Sequence, residues 1–317
     1  MLDYCGIVHR NNEGWILDRI AKEVATQFAS AEVVHYPCAL PEASAYLVTH
    51  YSMLPEVLMQ VPPHKAKVFC FFTHAKPNFA SYTDAFNVCA GVIAESPEGA
   101  DSLEKIGVNP SLICWVPEGG DNVAFTPHDR TGAGSVLICG AFYDRKSPDK
   151  LLQVICQSQR SFILLGRGWD ERFSSLPNLT YLPNIPYSDY PSVYARCDVY
   201  LSASTLEGGG PNSLIEAMHA NLLPVVSDTG NARQYILPGY NGLIFQTDAT
   251  AEDIVKQIEL AYALNPKNVP PYSDVCETVS PYTWPAFSAQ VHEIMSGDKP
   301  LTMEDILAQE AKDAQKP

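Results

Sequence analysis

Short apolar runs alternate along the chain with segments whose apolar residues recur at helical spacing. The runs Ala45–Thr49, Val68–Thr73, Val88–Ala94, Leu112–Val116, Val136–Gly140, Phe162–Gly166, Val199–Ser202, Leu223–Ser227 and Leu243–Phe245 have the length and apolar character of buried strands. Between them, Ile16, Leu17, Ile20, Val24 and Phe28 form one helical stripe, and Leu151, Leu152 and Ile155 begin another. Strands apolar on both faces, alternating with amphipathic helices, predict an α/β fold built on parallel sheets. The alternation breaks at Pro127–Gly134 and then starts afresh, which places a domain boundary there and predicts an N-terminal domain over 1–127 and a second over 128–281. The last stretch, 297–317, is polar with one weak amphipathic run, Met303–Ala311, and reads as a tail.

The chain has 317 residues, 46% hydrophobic and 18% charged, enough for two domains with their own cores. Its formal net charge of −15 argues against nucleic acid and against broad contact with an anionic membrane. An anionic substrate therefore needs a local basic pocket. Nine cysteines are scattered without a Cys-x-x-Cys pair, several inside apolar runs, as expected of buried thiols in a reducing compartment. Asp3, His9, Arg10 and Glu13 interrupt any leading apolar stretch, and no run is long enough to span a bilayer, so the expectation is a cytoplasmic protein.

The segment 207–228, EGGGPNSLIEAMHANLLPVVSD, carries the most chemistry. Its glycines let backbone N–H groups turn toward a ligand. Pro211 reads as the first residue of a helix whose N-terminus adds partial positive charge, so the N–H groups of Gly209, Gly210, Asn212 and Ser213 form a candidate phosphate cradle. In that helix Leu214, Ile215, Met218 and Leu222 share an arc, while Glu216 points away from its centre, toward solvent or a cleft. The same residues are also compatible with a flexible turn followed by a solvated glutamate.

The order of several segments resembles the retaining GT-B glycosyltransferases of family 4, the glycosyl transferases group 1. Val136–Gly140 through Lys146 to Leu152 is similar to that family's strand, phosphate-binding lysine and helix; FILLGRG, 162–168, to its next strand and glycine turn; Leu179–Ser204 to its base-binding loop, helix and strand. EGGGPNSLIEAM resembles its paired glutamates, and GYNGLIF, 239–245, its late strand. The first half matches more thinly, through VPEGGDNVAFTP as the linker, IAESPEGADSLEKIGV as the helix before it, and His74 in FFTHAKP, where the family often has an active-site histidine. Trp284 in YTWPAFSAQV resembles the start of a helix, over 282–296, that returns to complete the N-terminal domain.

The resemblance implies two Rossmann-like domains facing each other across a cleft, and a metal-independent enzyme without cofactor that moves a sugar from a nucleotide-diphospho-sugar donor, with UDP or GDP, to a glycan, small-molecule or peptide acceptor; a homo-oligomer is compatible with it. It implies catalytic roles for Lys146, Glu207 and His74, and donor contacts from Arg145, Ile185, Gly209, Gly210, Asn212, Ser213 and Glu216. Lys146 would neutralise the diphosphate and Glu216 would accept both ribose hydroxyls. Departures are visible. Eight residues separate Glu207 from Glu216, one more than the family usually has; Ala141 stands where an arginine is usual, with Arg145 as the candidate replacement; Gln234 stands where a glutamate is usual. A non-catalytic nucleotide-sugar-binding or partner-binding module of the same fold is the alternative, and no motif for an epimerase or phosphorylase is found.

Overall fold

The structure is a computed structural model that describes residues 1–209, 211–264 and 275–297. The chain divides into two compact units, one of residues 1–118 with the chain from Trp284 onward, the other Gly119–Thr283. The division lies upstream of the composition break at 127. Phe125 is buried in the second core, and Gly120 bridges to Thr283, which ties this stretch to the second unit.

In the first unit, β1 (Leu2–His9), β2 (Ala31–Tyr36), β3 (Ala43–Val48), β4 (Lys67–Phe72), β5 (Gly91–Ala94) and β6 (Ile113–Trp115) form a sheet in the order β2-β1-β3-β4-β5-β6. Every pairing is parallel. The chain builds outward from β1 in one direction and then, from β3, in the other, so β1 and β3 flank a topological switch point. The helix Ile16–Ala25 buries Leu17, Ile20 and Val24 against one face of this sheet, where Trp284, Phe287, Val291 and Met295 of the helix Trp284–Ser296 join them. Arg19 lies over the Trp284 ring, and Gln27 donates to Ser288. The helix Trp284–Ser296, within the stretch 282–296 expected to return, is part of the first unit's core.

In the second unit, β7 (Ser135–Cys139), β8 (Phe162–Leu165), β9 (Leu179–Leu182), β10 (Cys197–Ser202), β11 (Leu223–Ser227) and β12 (Leu243–Phe245) form a second parallel sheet in the order β12-β11-β10-β7-β8-β9. Its switch point lies between β7 and β10. The loop that enters β7 is held by Asp198 on β10, whose carboxylate accepts from the backbone N–H of Thr131 and of Gly134 at 2.9 and 2.8 Å.

Strands β1, β2 and β9 were not among the apolar runs. β2 and β9 are sheet edges, half solvent-facing, and β2 carries Glu32 and His35, so neither has the uniform apolarity that marks a central strand. Val88 ends the helix Thr83–Val88 rather than starting β5. Pro211 sits at the helix N-cap, with the helix itself running Asn212–His219. Among the described residues no helix is long and apolar enough to cross a membrane. None of the nine cysteines is in a disulfide, and six are buried; burial pushes the Cys5, Cys89, Cys139 and Cys197 thiols up to about 12. The run 303–311 lies outside the described residues.

The turns after β7 and β8 touch through glycine. Gly166 has φ +136°, and a Cβ there would meet the Gly140 carbonyl oxygen at 2.2 Å; Trp169 Nε1 donates to that same oxygen at 2.9 Å. We expect Gly166→Ala to cost at least about 1–3 kcal/mol for the backbone conformation alone, read as a lower denaturant midpoint, with the clash adding to it.

Candidate functional site

The switch point of the second sheet brings together the loops that follow β7 and β10. After β7 the chain turns at Gly140, passes through a 3-10 turn, Asp144–Lys146, and enters the helix Pro148–Gln157 by way of Ser147, a left-handed residue with φ 54°. After β10 it runs through Ser204 to Glu207. The two loops are laced by backbone, since Thr205 N–H donates to the Arg145 carbonyl at 2.7 Å.

This lacing puts one buried carboxylate between two cations. Glu207 is 7% exposed; Lys146 Nζ reaches its Oε1 at 2.5 Å and Arg145 Nη1 its Oε2 at 2.5 Å. Ser204 Oγ donates to Oε1 at 2.6 Å, and the Ser204 carbonyl in turn accepts from Ser227 Oγ at 2.6 Å. Gly140 backs the Lys146 stem: a Cβ there would lie 3.7 Å from Lys146 Cε. Burial pushes the Glu207 carboxyl up, but the charges of Lys146 and Arg145 and the hydrogen bonds from Lys146 and Ser204 outweigh it and hold the group below the usual carboxylate range. Adjacent residues of a 3-10 turn point in different directions. Arg145 and Lys146 nevertheless converge on one carboxylate, because Glu207 offers an oxygen to each.

The helix Asn212–His219 starts beside these loops. Its first N–H groups, those of Asn212 and Ser213, have no acceptor among the described residues, as at any helix start. The Ser213 hydroxyl is turned inward, 2.8 Å from Tyr200 Oη, so only its backbone is available to an anion. Gly209 is buried and its carbonyl accepts from Asn231 N–H at 2.7 Å, which anchors the loop to the following one; Gly210 lies outside the described residues. Glu216 is 6% exposed rather than solvated, because Tyr187 Oη donates to its Oε1 at 2.5 Å and Tyr194 Oη lies 3.4 Å from its Oε2. Both tyrosines come from the segment after β9. Ile185, half-buried in the same segment, packs on the second core at the carboxyl end of β9.

His74 belongs to the first unit. It follows β4, half-buried, with Nδ1 3.1 Å from Thr73 Oγ1. The residues that the sequence reading missed are Ser204, Tyr187 and Tyr194. Ser204 stands three positions before Glu207 and was open to inference as a hydroxyl on the same loop; the tyrosines had no sequence signal tying them to Glu216. Among the described residues no group of three or more His, Cys, Asp and Glu side chains is placed to hold a metal ion.

The depressed Glu207 group gives a pH test. A carboxyl whose folded pKa lies below its unfolded value of about 4.3 adds stability above that pH and loses it as pH falls through the folded pKa. Glu207→Gln should therefore be destabilised at pH 7, by up to about 3–5 kcal/mol for a broken buried pair. The gap to wild type should narrow below about pH 4 in denaturant melts.

Residues 130–270 match the family model described as glycosyl transferases group 1. No curated protein sequence matches the chain. Solved structures do: Anabaena HepE in complex with UDP, at 14% identity and TM-score 0.78, covering 93% of this chain and all of that one. A glycosyltransferase from Rickettsia africae matches at 13% identity and TM-score 0.76, covering 93% and 98%. Sucrose-phosphate synthase from Thermosynechococcus elongatus matches at 15% identity and TM-score 0.74, again covering 93% and 98%. Residues 130–270 thus match the glycosyl transferases group 1, and the chain has the α/β, GT-B fold of the solved glycosyltransferases it resembles.

Proposed function

We propose that the protein is a glycosyltransferase of the EC 2.4 class that moves a hexosyl group from a nucleotide-diphospho-sugar to an acceptor hydroxyl, with retention and without a metal. The observation that carries this reading is the convergence of Lys146, Arg145 and Glu207 at the switch point of the second sheet, beside the N-terminus of the helix Asn212–His219. Open α/β sheets bind ligands at such points, outside the carboxyl ends of their strands.

On this reading the diphosphate lies against Lys146, Arg145 and the N–H groups of Gly209, Gly210, Asn212 and Ser213. As the bond between the anomeric carbon and the β-phosphate oxygen breaks, charge grows on that oxygen, and preorganised cations stabilise it. The acceptor oxygen bonds to the anomeric carbon on the face that the phosphate leaves, and its proton passes to the departing phosphate. Glu207, released from one of its cations when the diphosphate takes its place, binds a sugar hydroxyl or faces the positive charge that develops on the ring. Glu216 accepts the ribose hydroxyls, Ile185 offers main-chain contacts to the base, and His74 keeps the catalytic role that the family resemblance implies. Tyr187 occupies one Glu216 oxygen and is displaced by ribose. Solved structures of HepE hold UDP and UDP-glucose, which makes uridine donors the first to try.

The test is incubation with UDP-, GDP- and ADP-sugars while nucleotide release is followed. Slow hydrolysis that an acceptor accelerates is expected; affinity without turnover would instead identify a binding module. Lys146→Ala should lower kcat/KM by about 2.7–4 kcal/mol, the loss of one electrostatic stabiliser, and a comparable loss in Arg145→Ala would assign it the place left by Ala141. Glu216→Ala should weaken nucleotide binding by about 1.5–3 kcal/mol in calorimetry, and an unchanged affinity removes it from the ribose site. Turnover should persist in excess EDTA; abolition with rescue by Mg²⁺ or Mn²⁺ contradicts the assignment of leaving-group charge to Lys146 and Arg145.

A further inference from the structure

Arg145 spends only part of its guanidinium on Glu207. Nη1 donates to Glu207 Oε2 and lies 3.4 Å from the Leu206 carbonyl oxygen; among the described residues Nε and Nη2 donate to nothing. The backbone beneath is fixed, because the Arg145 carbonyl accepts from Thr205 N–H and Lys146 N–H closes the turn on the Tyr143 carbonyl at 2.9 Å. The partly exposed side chain is held less completely. A guanidinium presents its N–H groups in one rigid planar fork, so the direction in which Nε and Nη2 are offered depends on what holds the fork.

Tyr143 lies against that fork. Its ring centroid is 5.2 Å from Arg145 Cζ, inside the roughly 6 Å within which a cation is drawn to an aromatic face. The extended backbone of Tyr143, φ −149° and ψ 149°, sets the ring at the entry of the 3-10 turn, two residues before the arginine it meets. Tyr143 is exposed, and among the described residues its hydroxyl has no hydrogen-bond partner and its ring meets no other aromatic ring. Neither burial nor a hydrogen bond accounts for the ring's place. A long cationic side chain that is ordered before its ligand arrives loses less rotamer freedom on binding, which is what a ring against the guanidinium supplies.

We infer that Tyr143 is a positioning residue whose ring holds the Arg145 guanidinium, so that Nε and Nη2 meet the donor's diphosphate already ordered. The word donor rests on the transferase reading above; the contact between Tyr143 and Arg145 does not. Two measurements test the inference, one without ligand and one with it.

Without ligand, a denaturant double-mutant cycle compares wild type, Tyr143→Ala, Arg145→Ala and the double variant. Tyr143→Ala should lower the folding equilibrium constant about two- to fivefold more when Arg145 is present than when it is absent, the worth of an exposed cation–π contact. With ligand, the tightest-binding of UDP, GDP and ADP and its parent nucleoside are titrated by calorimetry. Tyr143→Ala should weaken diphosphate binding about two- to fivefold, and Tyr143→Phe, which keeps the ring, should restore most of it. The nucleoside should bind all variants alike, and Tyr143→Ala should add no loss to Arg145→Ala. The inference is overturned if the cycle shows no coupling, if Tyr143→Ala leaves diphosphate affinity unchanged, if Tyr143→Phe loses as much as Tyr143→Ala, or if the nucleoside loses as much as the diphosphate. It is also overturned if Tyr143→Ala still weakens diphosphate binding without Arg145, which would make Tyr143 a direct ligand contact. Failure of wild type to bind any of the three diphosphates would sink the donor reading instead, and the ligand-free cycle would still decide the contact.

Discussion

One buried carboxylate shared by two cations organises the second unit's site. Glu207 brings Lys146 and Arg145 together although their positions in a 3-10 turn would spread them, and Ser204 holds the carboxylate from below. Two positive charges and one negative leave the cluster with a net charge of about +1 in a water-poor site, where Coulomb energies exceed their values in bulk water several-fold. Such a cluster keeps an excess of positive charge, which favours an anion. A pair of cations with no carboxylate between them would repel each other; a carboxylate with one cation would be neutral and indifferent to an anion.

The sheets decide where this chemistry stands. In each unit the winding reverses beside the first strand, at β1/β3 in one and β7/β10 in the other, the kind of place where open α/β sheets bind ligands. In the second unit Lys146, Arg145, Glu207 and a helix start stand there. The close approach of the turns at Gly140 and Gly166, which no side chain fits, keeps the β7 loop in the position from which Lys146 reaches Glu207.

The central strands other than β1 were legible because burial on both faces makes them uniformly apolar, and Lys146, Glu207 and Glu216 were singled out because their spacing and neighbours resemble a family pattern. What the sequence hid is nonlocal. Glu216 reads as a solvated or cleft-facing position because the helical arc shows only where its own apolar neighbours point; Tyr187 and Tyr194, brought over it from the segment after β9, have no periodic relation to it. Arg145 beside Lys146 looked ambiguous for the same reason. Only the carboxylate from the other loop reveals that both reach one group. The edge strands β2 and β9 escaped because half-solvated strands are not uniformly apolar, and Asp198 gave no sign in sequence that it clamps the loop at 131–134.

The central claim is that Glu207 holds the cations that a nucleoside diphosphate otherwise claims. Calorimetric titration of the tightest-binding of UDP, GDP and ADP into wild type and into Glu207→Gln tests it directly, because the near-isosteric substitution raises the net charge of the cluster from about +1 to about +2. The account predicts tighter nucleotide binding to the variant, with a gain that shrinks as salt is added. Equal or weaker binding would contradict it and detach the Lys146–Arg145–Glu207 cluster from the diphosphate.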